Sequence, residues 1–251
     1  MKSNILVILV TLMYSLNVKA QIFQTDLNKK NITSVTFLLA NTSLRVTGSE
    51  GDSLTITVIG NEPANLKDSS GLGLHLTTTG HTLAFEKATS KNVTYLVKMP
   101  SYISLAIEEI PSFIPLANEE MLDKPQMLKI LDMKGDVNVE SWISTINLIN
   151  NTGTVNASSV AADVFAILPP DVTQSCSFVS RGRLVDVTIN PKSKIALEAA
   201  IIAGRFTPNV KPSAPFKITR SGFFQTVKGS INGGGALVRV ESNRLILHQG
   251  E

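Results

Sequence analysis

An aliphatic residue returns every nine positions through the middle of this chain, at Leu128, Val137, Ile146, Val155 and Val164. A second one follows two residues later in each step, at Ile130, Val139, Leu148, Ala157 and Ala166. Small residues precede the first column at Gly135, Ser144, Gly153 and Ala162, and are followed by Asp136, Thr145, Thr154 and Asp163. Asn138, Asn147 and Asn156 stand between the two apolar columns. Residues two apart on a strand share a face, and a small residue lets the chain turn tightly before the next strand. Equal steps let successive units stack ~4.8 Å apart with like residues in columns, so that no unit needs a core of its own. The step is too short for a βαβ crossover. It suits either a meander of hairpins or half a coil of a β-roll or β-helix. The asparagine column favours the coil, because identical amides gain most by stacking.

The remainder of the chain also reads as strand. Leu54, Ile56 and Val58 alternate with Thr55 and Thr57, and Val93, Tyr95, Val97 and Met99 alternate with Thr94, Leu96 and Lys98. That period of two marks half-buried strands. Only residues 193–204 (SKIALEAAIIAG) approach helical periodicity, and their alanines support one short helix. Pro111, Pro115 and Pro125 break pairing in residues 108–127, which read as an irregular insertion or a cap on the stack. Pro208, Pro212 and Pro215 mark a loop before the closing strands.

The first twenty residues read as an export signal. Lys2 precedes an apolar run over 5–16, and Val18-Lys19-Ala20 fits a peptidase cut before Gln21. Twelve helical residues cover ~18 Å, short of the ~30 Å hydrocarbon core. The expected product is one β-repeat domain over 21–251, periplasmic, surface-exposed or secreted, with no transmembrane segment. Losing Lys2 and Lys19 lowers the formal net charge from +3 to +1. The remaining charge is uneven: residues 21–127 carry a net −3 and residues 172–251 a net +7. The single cysteine, Cys176, removes disulfide scaffolds and multi-thiolate metal sites, and as a buried thiol it is harmless in an oxidising compartment.

Three stretches carry a resemblance. Residues 44–56 (LRVTGSEGDSLTI) give a strand, a Gly-Asp turn and a second strand; residues 135–141 (GDVNVES) give a rung; residues 228–242 (KGSINGGGALVRVES) give a glycine turn and last strands. Together they resemble the auto-transporter adhesins with a head GIN domain, and more broadly the adhesin-like β-strand-repeat domains of exported bacterial proteins. The likeness spans most of 35–247, although Ser144, Ala162 and Arg183 stand where that family often has the rung glycine. The resemblance implies an all-β, β-solenoid-like fold (a parallel β-roll or single-stranded β-helix) with irregular caps. It also implies a place outside the cytoplasm and no established catalytic residues.

Direct tests for chemistry find little. The sequence has no Gly-x-Ser-x-Gly elbow and no phosphate-binding loop, and Gly71-Leu72-Gly73 lacks the third glycine of a dinucleotide site. His75 and His81 lie on a Thr-rich strand pair without an evident third ligand, so they read as surface histidines. Asp136 and Asp163, the pair a carbohydrate-active β-helix would use, fall on opposite sides if two units make a coil. No cofactor or metal is expected. The basic C-terminal third supplies the binding candidate: Arg181, Arg183, Lys211 and Lys217, with Arg220, Lys228, Arg239 and Arg244, as a stripe for anionic glycans or lipid headgroups. Nucleic acid is disfavoured by export and by the scarcity of aromatics. The sequence therefore predicts a non-enzymatic, adhesin-like protein that recognises or scaffolds a glycan or envelope surface. A carbohydrate-active enzyme and a purely structural envelope protein are the alternatives.

Overall fold

The computed structural model describes residues 22–40, 42–59, 72–88, 93–110 and 126–250. The export signal, its cleavage point, Gly71 and most of the 108–127 insertion lie outside the described residues. Strand follows strand. The chain begins with β1 (Ile22–Asp26), a 3-10 turn at Asn28–Lys30, β2 (Ser34–Leu39), β3 (Ser43–Ser49) and β4 (Ser53–Ile59). It continues with β5 (Leu74–Thr79), β6 (Thr82–Lys87), β7 (Thr94–Pro100) and β8 (Ser104–Glu109). The repeat region forms β9 (Met127–Leu131), β10 (Val137–Ser141), β11 (Thr145–Ile149), β12 (Val155–Ser159) and β13 (Val164–Ile167). Then come β14 (Cys176–Ile189), β15 (Ile195–Asn209), β16 (Lys217–Ser221), β17 (Phe224–Ile231) and β18 (Ala236–Gln249).

The strands pair in two mostly parallel ladders. Ladder A runs β6, β2, β8, β10, β12, then the N-terminal halves of β14, β18 and β15. Ladder B runs β7, β3, β9, β11, β13, then the C-terminal halves of the same three strands. The nine-residue units alternate between the ladders, so each unit pairs with the second one along: Val137 with Val155, Leu128 with Ile146, Ile146 with Val164. The inward columns of both ladders merge into one hydrophobic cluster, slender in the repeat region where Val137, Val155, Ala157, Val164 and Ala166 fill it. Alternation of ladders also splits the asparagine column. Asn156 Nδ2 donates to Asn138 Oδ1 at 3.0 Å within ladder A, whereas Asn147 lies in ladder B between Lys129 and Phe165.

Residues 193–204 form strand rather than helix. Ile195, Leu197, Ala199 and Ile201 are all buried with the period of two, and β15 is held between β17 and β18. Two neighbours and a buried face outweigh the modest helical preference of alanine. Spatial order departs from chain order at both ends. The β2–β3 coil lies between β6–β7 and β8–β9, and the last strand, β18, inserts between β14 and β15. Beyond the parallel stack the pairing turns antiparallel: β5 on β6, β4 on β7 and β1 on β4 at one end, β17 on β15 and β16 on β17 at the other. Aromatic rings fill the N-terminal end, with Phe37 stacked on Phe85 at 5.1 Å and Phe23 edge-on to Phe85 at 5.8 Å.

The two corners joining the ladders are built differently. At the tight corner, a Cβ on Gly153 would lie 2.3 Å from the Gly135 carbonyl oxygen, and one on Gly135 2.6 Å from that of Ile103. Glycine is obligatory there because successive rungs touch through backbone. Asp132 (φ 57°) and Asn150 (φ 55°) take the left-handed conformation one rung apart, a conformation their short polar side chains tolerate. The opposite, open corner is lined by serine: Ser141, Ser159, Ser180 and Ser242 are buried and in register. At its β8 end the carboxylate of Glu109, 4% exposed, accepts hydrogen bonds from the Ser141 and Ser144 hydroxyls and from the N–H groups of Trp142, Ile143 and Ser144. Three successive amides and two hydroxyls give that buried charge its compensation. Ser144 and Ala162 belong to this corner, where hydroxyls rather than close backbone contacts meet them: Ser144 Oγ donates to Glu109, and the Ala162 N–H donates to Ser159 Oγ.

Candidate binding surface

Outward side chains make two unlike faces. Ladder A presents Glu86, Glu108, Glu140, Glu198 and Glu241 against Arg239 and Lys228, in an alternation that turns their neighbours inward, with Lys217 beside them on the exposed strand β16. In one row Ser177, Arg239, Glu198, Lys228 and Lys217 stand side by side on adjacent strands. Glu198 accepts from Lys228 Nζ at 2.9 Å and lies 3.7 Å from Arg239 Nη2. The Lys228 hydrogen bond and charge, with Arg239 adding, hold its carboxyl below the usual carboxylate range. This face is a solvated surface of mixed charge, on which Glu198 is the carboxylate held in ion pairs among the described residues.

Ladder B presents the opposite balance. Arg45, Lys98, Lys129, Arg244 and Arg205 point outward from β3, β7, β9, β18 and β15. Their acidic counterparts are engaged elsewhere: Asp186 accepts from His248 Nε2 at 3.2 Å, Asp26 pairs with Lys29, and Asp163 accepts from the Leu184 N–H. Arg45 and Lys129 are register partners, and Arg244 lies beside Arg205. None of these five cations has a carboxylate within 4.0 Å among the described residues. Arg45 and Lys98 line a shallow depression of about 420 Å³ with Thr47, Thr55, Thr57 and Leu96. Leu131, Ile149 and Ile167 form a registered aliphatic row on the same face, with Ile167 44% exposed.

The eight-residue stripe read from the sequence is therefore divided. Arg239, Lys228 and Lys217 belong to the ladder A face, and Arg181 and Arg183 to the open corner. Arg220 points to the other side of β16 from Lys217, being an odd number of residues away, and Lys211 lies in the loop at the tight corner beside Pro191 and Asn232. Only Arg244 joins the cationic face. Arg45, Lys98 and Lys129 were not read as part of the stripe because chain distance separates them from it, and Arg205, which lies within that basic third, was passed over; Lys129 nevertheless occupies the slot between apolar columns that asparagine fills in later units.

The other candidates do not assemble a site. His75 faces Glu86 at one end of the β5–β6 hairpin, while His81 is in its turn and donates through Nδ1 to the Asn31 carbonyl at 2.8 Å. Asp136 Oδ1 accepts from the Thr154 N–H at 3.1 Å, the same rung-joining role that Asp163 plays in ladder B. Cys176 is buried, and burial pushes its thiol up to about 11. Among the described residues no three His, Cys, Asp or Glu side chains gather as a metal site, and no helix is long and apolar enough to cross a membrane.

No protein-family model matches the chain, and no curated protein matches it. Similar solved structures carry provisional descriptions as adhesins. One is a cell adhesion protein from Clostridium sporogenes, 10% identical, covering 92% of this chain and 100% of its own, with a TM-score of 0.42. Another is an adhesin from Bacteroides fragilis, 9% identical, covering 91% and 96%, at 0.30. A third is an adhesin from Parabacteroides merdae, 11% identical, covering 94% and 98%, at 0.29. Such loose superposition transfers neither residues nor roles.

Proposed function

We propose that this chain is an exported, adhesin-like recognition module of the cell envelope that works without catalysis. Its two ladders form a solenoid, a flattened coil of two nine-residue units per turn, and its ladder B face meets an anionic glycan or envelope surface. The observation that carries the reading is the contrast between the outer faces: carboxylates and cations intermingle on ladder A, whereas ladder B shows cations whose acidic neighbours are occupied. A stiff stack supports this role, because side chains on regular strands hold a fixed spacing that a mobile loop does not. The non-catalytic part is supported by Asp136 and Asp163, each committed to a backbone N–H of the next rung.

The test is binding of the chain to acidic and neutral glycans and to anionic vesicles at low and at raised ionic strength. Binding restricted to acidic partners and weakened by salt is expected. Salt-independent binding would contradict the electrostatic face, and turnover of any polysaccharide would overturn the non-enzymatic reading.

A further inference from the structure

We propose that the ladder B face docks flat on an anionic phospholipid surface, Arg45 and Lys98 seating a headgroup phosphate while the Leu131–Ile149–Ile167 row meets the acyl boundary. This rests on the recognition role assigned to that face and names its occupant. Three observations favour lipid over a polysaccharide. The surface is the outer side of a broad, mostly parallel sheet, extending ~43 Å across the ten strands from β1 to β15 at the usual strand spacing. A bilayer can meet a surface of that breadth across its width, whereas one linear glycan covers only a strip of it. Its apolar part is aliphatic, in adjacent rungs, and among the described strands only Phe165 offers a phenyl ring there, with the His248 imidazole engaged by Asp186. Sugar rings stack on aromatic planes, whereas branched aliphatics gain only from a medium that removes them from water. The cations flank that row, with Lys129 two residues from Leu131, the arrangement of cation and aliphatic that membrane-surface elements use.

Exposed apolar groups continue onto the border of the face. Trp142 and Ile143, 48% and 53% exposed, sit at the open corner immediately before β11, and Phe223 and Phe224, 83% and 58% exposed, sit at the β16–β17 hairpin tip, where the Phe223 carbonyl meets the Ala203 N–H at the same corner. Each would otherwise be an isolated exposed residue; together they lie along the open corner, the edge that the ladder B face shares with ladder A. Trp142 is the single tryptophan of the chain, so its emission reports contact at this border and nowhere else.

The experiment mixes the exported chain, residues 21–251, with vesicles of equal parts phosphatidylglycerol and phosphatidylcholine, or of phosphatidylcholine alone, and reads Trp142 emission with cosedimentation. A blue shift on the anionic vesicles and none on the neutral ones is expected. Arg45→Glu with Lys98→Glu raises the lipid concentration required roughly twentyfold or more, and Ile167→Ser raises it about fivefold. Lys217→Glu with Lys228→Glu, on the other face, leaves it unchanged. Dichroism and protection of the buried Cys176 thiol confirm that each variant folds. No shift on anionic vesicles, an equal shift on neutral ones, or a shift indifferent to Arg45 and Lys98 overturns the proposal. Dextran sulfate separates the two readings. If the parent chain binds it through Arg45 and Lys98 without responding to vesicles, the lipid occupant fails and the anionic-surface role stands; if neither probe binds, both fail.

Discussion

The tight and open corners turn the same chain through the same angle by different means. At the tight corner backbone rests on backbone, so Gly135 and Gly153 admit no side chain and Asp132 and Asn150 hold left-handed conformations. At the open corner a serine column and the Glu109 carboxylate carry the turn from within, leaving Trp142, Ile143, Val160, Arg181 and Arg183 to project outward. The difference teaches where variation is tolerated within the repeat region: contact through backbone fixes the register of the stack, and contact through buried hydroxyls frees the outer positions; where the open corner reaches β15, backbone contact returns, Gly204 lying against the Asn243 carbonyl beside left-handed Ala203 (φ 54°).

The contrast breaks most visibly at Gly153. Gly153→Val has no room against the Gly135 carbonyl and is expected to cost about 3 kcal/mol or more, or to prevent soluble expression. The exposed Ala161→Val at the open corner should stay within about 0.5 kcal/mol by denaturant midpoint. Next in size is Glu109→Ala, which strands three amides and two hydroxyls in a buried corner; a loss of about 3 kcal/mol is expected in the same assay. The serine column offers a finer comparison. Ser180 Oγ donates to the Ala162 carbonyl at 2.9 Å, whereas Ser242 Oγ is buried without a partner among the described residues. Ser180→Ala should cost about 1 kcal/mol, while Ser242→Ala should be neutral or slightly stabilising, because it removes an unsatisfied group. Equal losses at both serines would show that the column acts through packing alone.

The smallest effect concerns Cys176. Its thiol is raised by burial, so the folded chain keeps the proton at pH values where the unfolded chain loses it. The stability this contributes is complete below about pH 9 and falls away as pH rises toward about 11. A Cys176→Ala variant should show a shallower loss of stability than the parent chain across that window. Lys87, lowered by burial to about 8, favours folding increasingly from there upward, so the difference between the two chains isolates the thiol.

The repeat was legible because its cause is local: small residue, polar residue and two aliphatic residues in one unit encode a corner and a strand face. The pairing of alternate units was one of two options left by the length of the unit, and the difference between Gly135 and Gly153 at one corner and Ser144 and Ala162 at the other marks it only once the two corners are seen. Residues 193–204 were ambiguous because alanine suits either state until β17 and β18 flank it. The insertion of β18 between β14 and β15 and the meeting of Arg45 with Lys129 depend on pairings across long stretches of chain, which no short window of sequence contains. A cationic stripe read from one third of the chain thus divided between two faces and two corners, and its strongest members came from elsewhere.

Disulfide trapping in a Cys176→Ala background tests the two-ladder coil most directly. Asn138 and Asn156 are partners on adjacent strands of ladder A, within the Cα separation of roughly 4.4–6.8 Å that a disulfide spans. Asn138→Cys with Asn156→Cys should oxidise readily, and Asn138→Cys with Asn147→Cys should remain free, because Asn147 lies on the other ladder across the core. The reverse result, with the nine-residue neighbours joined and the pair two units apart left open, would describe a hairpin meander and contradict the account.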